Sequence, residues 1–353
     1  MRDVHQDALP AHALNKKHKT KTNMQTYEFV SPKHPDKICD QIADSILDAY
    51  LEKDPEARVA VEVMGGHGKI KVTGEVTSSA EVDIPKIARE VVETDPSRPS
   101  GARASYDVEV FISKQSPEIA RGVDTGGAGD QGIMVGYACS ETENFMPYGY
   151  ELARNLCRDI YKRYPFDGKT QVTIDKNKVT DVVASFQNTK TVDLETLVRE
   201  FIKADKYHIN PAGEWHIGGF EADSGLSGRK IIIDNYGPYV PVGGGSFSGK
   251  DPTKVDRSGA YMARKIAVDL LKERNAKEVV VHLAYVIGVV DPVSAEAELI
   301  YLDPQGRVEK RKETITEYDL TPQGIIKLLD LKKSQYQKTA GAGHFGLSDT
   351  TWF

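Results

Sequence analysis

Ile38, Ile42, Ile46 and Tyr50 recur every four residues, the spacing that stacks apolar side chains on one face of an α-helix. Pro35 and Asp36 stand just ahead as a helix start, so an amphipathic helix is expected over residues 36–53. The pattern then changes period. Residues 58–63 and 69–76 read as a strand pair around Gly65 and Gly66, followed by a helix over 84–94 and a strand over 106–113.

The same mixture returns twice. A strand over 133–138, a helix over 150–164, strands over 170–175 and 179–186 and a helix over 194–203 form the middle block. A strand over 229–234, a helix over 260–273, strands over 279–289 and 295–302 and a helix over 322–331 form the last. Strand pairs alternating with single helices, three times over, predict an α+β fold of three similar two-layer units rather than one doubly wound sheet. The triplication rests on element order, because sequence similarity between the blocks is slight.

Composition narrows the class. With 39% hydrophobic and 28% charged residues among 353, the chain is ordinary globular material of two to three compact units. Its longest apolar stretches, such as 284–290, are far too short to span a bilayer, so no membrane partner is expected. A net charge of −6 argues against a broad phosphate-backbone surface and hence against nucleic acid, yet leaves room for a local basic pocket. Cys39, Cys139 and Cys157 are too few for a disulfide framework and lack zinc-ligand spacing, which suits core positions in a cytoplasmic protein. Residues 1–23, with Arg2, Lys16, Lys17, Lys19 and Lys21 against Asp3 and Asp7, read as a disordered extension or an expression remnant, with Met24 the expected start of the folded part.

Two glycine motifs carry candidate chemistry. Gly127-Ala128-Gly129-Asp130-Gln131-Gly132 fits G-x-G-x-x-G, but the polar loop before it and the strand expected after it deny the strand–turn–helix a dinucleotide fold needs. Gly244 to Asp251 nearly fits a P-loop and fails at its last place, where Asp251 replaces the magnesium-binding hydroxyl and Pro252 stops a helix. The physical content of that second loop survives, because glycine-rich backbone N–H groups with Lys250 can cradle a polyphosphate. Arg229, Lys230, Lys254 and Arg257 gather around it with Asp223, Asp251 and Asp256 interleaved, the mixture of cations for phosphate oxygens and carboxylates for Mg²⁺ that a nucleoside triphosphate site requires. At the mouth of the first helix, His34-Pro35-Asp36-Lys37 adds a histidine, a carboxylate and a lysine where anions are attracted.

Taken together, His34 to Lys37, the GAGDQG of 127–132, the GLSGRKIIID of 225–234 and the GGGSFSGKDPTKVDR of 243–257 resemble S-adenosylmethionine synthetase (methionine adenosyltransferase), in order from Tyr27 to Gly343-His344-Phe345-Gly346. The resemblance implies three intertwined α+β units about a pseudo-threefold axis, here over 24–118, 127–221 and 222–353, in a homodimer or homotetramer with active sites between subunits. It implies ATP and L-methionine as substrates, two Mg²⁺ per site and K⁺ as cofactors, attack of the methionine sulfur on C5′ of ATP, and hydrolysis of the displaced tripolyphosphate. By that resemblance His34 stands beside the leaving group, Asp36 and Asp256 are magnesium ligands and Glu62 is the potassium-site glutamate. Lys169, Arg229, Lys230 and Lys250 match the catalytic cations along the triphosphate, with Asp167, Ser246, Trp215 and its neighbour Glu214 on the ATP side, Trp215 in the place of an adenine-stacking aromatic. Glu75, Gln115 and Lys254 match the methionine end, Asp223 touches both substrates, and Asp130 falls in the active-site GAGDQG.

Three departures stand out. Only Thr125 and Gly126 separate Gly122-Val123-Asp124 from Gly127, where the family has a longer loop; Pro32-Lys33 replaces the usual Glu-Gly; and Glu214 replaces a commonly basic residue. A shortened lid bears on gating. It is also the one feature favouring a polyphosphate hydrolase or a non-catalytic subunit.

Overall fold

The computed structural model of the chain describes residues 24–93, 105–114, 126–176 and 178–353. The first third holds β1 (Met24–Val30), α1 (Pro35–Lys53), the hairpin β2 (Arg58–Gly66) and β3 (Lys69–Thr77), α2 (Ile84–Glu93) and β4 (Asp107–Ser113). The middle third holds β5 (Gly132–Cys139), α3 (Tyr148–Arg163), the hairpin β6 (Gly168–Asp175) and β7 (Lys178–Phe186), α4 (Thr191–Phe201) and β8 (Lys206–Ile209). The last holds β9 (Gly225–Leu226), α5 (Ile231–Asp234), α6 (Val255–Arg274), β10 (Glu278–Tyr285), β11 (Ser294–Leu302), β12 (Val308–Thr314), α7 (Pro322–Leu328) and α8 (Gln337–Ala340).

Three four-stranded sheets result among the described residues, ordered β4-β3-β2-β9, β1-β6-β7-β8 and β12-β11-β10-β5. Each is built on a hairpin from one third and joined, antiparallel, by a strand from another: β9 on β2, β1 on β6 and β5 on β10. The fourth strand is parallel in the first two sheets and antiparallel in the third. One face of each sheet packs under a helix, α1 on β2, α3 on β1 and β6, and α6 on β5 and β10. The expected two-layer α+β architecture is what forms, and the apolar row of α1 (Ile38, Ile42, Ile46) is buried in it.

The details correct several element expectations. Residues 229–234 do not form a strand; Ile231–Asp234 make a single helical turn that buries Ile233 and Asp234, a compact apolar run that strand patterning mimics. The strand expected over 279–289 stops at Tyr285, and Gly288 at φ +76 turns the following loop. The cysteines are free and buried, as expected of small core residues. No described helix is long and apolar enough to cross a membrane.

Candidate active site

The site begins with an unusual register on α1. Asp36, Asp40, Asp44 and Asp48 are spaced every four residues, so they form one row on the helix. Each accepts backbone N–H groups from the last third of the chain. Asp36 takes Leu226 (2.9 Å), Asp40 takes Gly228 (2.8 Å), Asp44 takes Gly249 (2.8 Å), and Asp48 takes Gln335, Tyr336 and Gln337. Asp36, Asp40 and Asp44 are buried at the contact with cations in support: Lys37 bridges Asp40 (2.9 Å) and Asp234 (2.5 Å), and Arg257 forks onto both oxygens of Asp44 (2.8 and 2.6 Å). These pairs fix the loops that carry the candidate site.

At the helix mouth the predicted residues come together. Lys230 Nζ lies 2.5 Å from Asp36 Oδ2 and Arg229 Nε 3.7 Å from Asp36 Oδ1. Burial alone would raise the Asp36 carboxyl; hydrogen bonds from Lys230 and the Leu226 backbone hold it below its ordinary value. His34 caps α1, its Nδ1 accepting the Asp36 N–H at 3.2 Å, which places the imidazole proton on Nε2. Burial, then the positive charges of Lys230 and Lys169, push its pKa from 6.5 to about 3. The residue is therefore a neutral N–H donor set among lysines. Lys169 reaches this corner because it pairs with Val30 at the end of β1, and the field of Asp223 also acts on His34.

The glycine-rich loop supplies the other half. Lys250 Nζ lies 2.7 Å from Asp256 Oδ2, whose Oδ1 accepts the Gly245 N–H at 2.9 Å. Gly228, at φ +74, lets the segment before Arg229 press on this loop: a Cβ there would stand 2.5 Å from Ser246 Cβ. Gly249, at φ +79, similarly brings the loop against β2, where a Cβ would meet the Val61 carbonyl at 2.1 Å. Lys254 is 2.5 Å from the fully buried Asp251, which also accepts the Val59 N–H (2.7 Å). In this arrangement Lys254 neutralises a structural carboxylate.

Glu62, Glu75, Trp215 and Asp167 connect to that centre through their neighbours. Glu62, exposed on β2, accepts the Ser227 hydroxyl, and Ser227 also accepts the Val63 N–H at 3.0 Å. Glu75 pairs with Ala60, which bridges Lys250 on its other side. Trp215 donates its indole N–H to Ser185 (3.1 Å), the cross-strand partner of Lys169, and Asp167 accepts the Gly219 N–H (3.0 Å). Glu214 instead accepts the Thr191 N–H (2.8 Å) at the start of α4, and the exposed Asp130 accepts the neighbouring Gln131 N–H (2.7 Å). Neither contact ties these two to the centre. Lys33, one of the two residues that replace the usual Glu-Gly, is buried. Gln115 and Gly122 to Thr125 of the shortened lid lie outside the described residues.

Sequence reasoning missed Asp40, Asp44, Asp234 and the partner role of Arg257. The signal was present as the four-residue aspartate repeat, parallel to the isoleucine repeat already read.

Among the described residues no group of three or more His, Cys, Asp or Glu side chains could hold a metal. Asp36 and Asp256 each offer hard carboxylate oxygens that presently face lysine ammonium groups, so the donor chemistry fits Mg²⁺ completed by phosphate oxygens and water. Glu62 offers the same oxygen chemistry for a monovalent cation.

Three sheets that exchange strands, with carboxylate–lysine pairs and a glycine loop at one centre, define a class: a three-sheet α+β protein with a charged centre. The chain belongs to the S-adenosylmethionine synthetase family, whose N-terminal, central and C-terminal domain models match residues 22–117, 125–215 and 217–353. It is similar to a solved structure, that of an unusual S-adenosylmethionine synthetase from Campylobacter jejuni: 33% identity, 93% of this chain and 96% of that one covered, TM-score 0.80.

Proposed function

We propose that the chain is a transferase that makes S-adenosylmethionine from ATP and L-methionine and then cleaves the tripolyphosphate to phosphate and diphosphate. The observation that carries this is the joining of Asp36, Arg229, Lys230 and His34 to Lys250 and Asp256 through the Gly228–Ser246 contact. The methionine thioether has a free lone pair and needs no base. It attacks C5′, the C5′–O bond breaks, and the bonding pair leaves with the triphosphate, so the chemical demand is alignment and charge stabilisation. Arg229, Lys230, Lys250 and Lys169 answer the charge. The His34 Nε2–H donates a hydrogen bond to the departing oxygen and, being neutral, holds no extra proton to transfer.

Asp36 and Asp256 would hold Mg²⁺ and Glu62 K⁺, which when bound neutralise and orient the triphosphate. Trp215 with Asp167 flanks Lys169 on the adenine side; Glu75, Gln115, Asp223 and Lys254 serve methionine. The uncovered sheet faces carry exposed Met64, Phe111 and Ile133, apolar surface that a second copy would bury, in keeping with a homo-oligomer. The oligomer's sites are proposed to lie between subunits of a cytoplasmic protein. Incubation of the purified protein with ATP, L-methionine, Mg²⁺ and K⁺ is expected to yield S-adenosylmethionine by mass spectrometry. Phosphate release without that sulfonium would leave only a hydrolase.

A further inference from the structure

Behind the segment that carries His34 lies a second cavity of about 610 Å³, the size of a small-molecule site. Phe29 and Val30 at the end of β1, Cys157 and Tyr161 on α3 and Phe201 at the end of α4 make most of its lining apolar, with Asn155, Asp159 and Lys162 on the α3 side. Arg158 lines it too. This guanidinium is half-buried, and among the described residues no acceptor lies within hydrogen-bonding distance of it.

Glu151 acts on it favourably from a distance, but the carboxylates nearby are bonded to other cations. Asp159, on the same wall, is engaged by Lys162 at 2.9 Å. Glu151 is bonded to Arg154, which also donates to the carbonyls of Phe345 (2.6 Å) and Gly346 (3.1 Å). Burial and then Arg154 lower the Arg158 pKa, so its surroundings disfavour the charge it carries. An unpaired cation in an apolar wall is an unfavourable state that an anion relieves. Its planar fork matches a carboxylate, and a single uncompensated charge calls for a monoanion.

We propose that this cavity binds a small organic carboxylate with an aromatic or aliphatic body, Arg158 holding the carboxylate and the apolar walls the body. Occupancy bears on the active site, because Val30 pairs with Lys169 and Pro32, another wall residue, stands two positions before His34. That linkage rests on the functional reading above; the binding does not.

Calorimetric titration of the full chain with 4-phenylbutyrate, and with the uncharged 4-phenylbutanol, tests the site. Saturable one-site binding of the acid is expected, weakened about ten-fold or more in Arg158→Met and weaker for the alcohol by a similar factor. Absence of saturable binding, or equal affinity of wild type and Arg158→Met, overturns the proposal. Should that variant fail to fold, equal affinity of acid and alcohol on the wild type overturns it alone. Saturating phenylbutyrate is expected to change tripolyphosphate affinity by about three-fold or more. An unchanged affinity removes the linkage, whereas failure of tripolyphosphate to bind at all counts against the active-site reading and leaves the phenylbutyrate result standing.

Discussion

His344 shows how a single buried group sets a pH limit. Arg257 Nε donates to the Tyr261 hydroxyl (3.0 Å), which stands 2.8 Å from His344 Nδ1, and the fully buried imidazole has burial, Arg257 and Lys37 all pushing its pKa well below 6.5. In the unfolded chain the ring takes up a proton near pH 6.5; in the folded chain it does not. Its contribution to stability is therefore complete above about pH 6.5 and is lost as pH falls below it, since the unfolded state then binds more protons. His344→Asn, which keeps a polar atom near Nδ1, should show a shallower drop in urea midpoint between about pH 7.5 and 5.5. Equal drops in variant and wild type would remove His344 from the acid limb. Lys250 and Lys254 separate two other roles. Lys250→Ala should slow sulfonium formation by about 10²-fold, as loss of a leaving-group donor does. Lys254→Ala should lower the denaturation midpoint as well, because it strands buried Asp251. Such distinctions were only half legible: both lysines were singled out by charge beside glycine, but which carboxylate each meets depends on Val59 and Gly245, far away in chain or in loop geometry.

At the scale of the element, α1 works as a ruler. Its aspartates at 36, 40, 44 and 48 hold four successive stretches of the last third, while the isoleucine row holds the core. Acidic residues at helical spacing ordinarily mark a solvated face, so the periodicity was visible and its burial was not. Asp44→Asn leaves Arg257 fully buried without its charge partner and should cost about 3–5 kcal/mol in urea denaturation. Glu52→Gln, exposed on the same helix, should fall within about 0.5 kcal/mol of wild type. Comparable losses in the two would show that the row does not organise the fold. Other elements were hidden by their composition. β12 reads VEKRKET and has almost no apolar face; it is an edge strand held by backbone pairing to β11, with Lys310 bonded across to Glu298 (2.7 Å). The Ile231–Ile233 run had the opposite problem, an apolar triplet too short for period to separate strand from helix.

For the whole molecule, the recurrence of strand pairs and helices was readable in order, but the sharing of strands was not, because no local pattern names a distant partner. The first third lends β1 to the middle sheet, the middle third lends β5 to the last, and the last lends β9 to the first, a closed three-way exchange. That exchange also builds the site: the end of β1 sets Lys169 beside His34, and β9 leads into Arg229 and Lys230 over Asp36. A net charge of −6 over the chain thus coexists with a cationic centre assembled from all three thirds. Cooperativity follows from the same exchange. A fragment spanning 127–221 lacks β1, so it exposes the edge of β6 and uncovers α3, while its own β5 has lost β10 as a partner. Expressed alone, it should show no cooperative thermal transition and poorly dispersed amide resonances, with the intact chain unfolding as one unit. A sharp transition with dispersed resonances in the fragment would mean that the borrowed strand is dispensable and that the three thirds are independent domains.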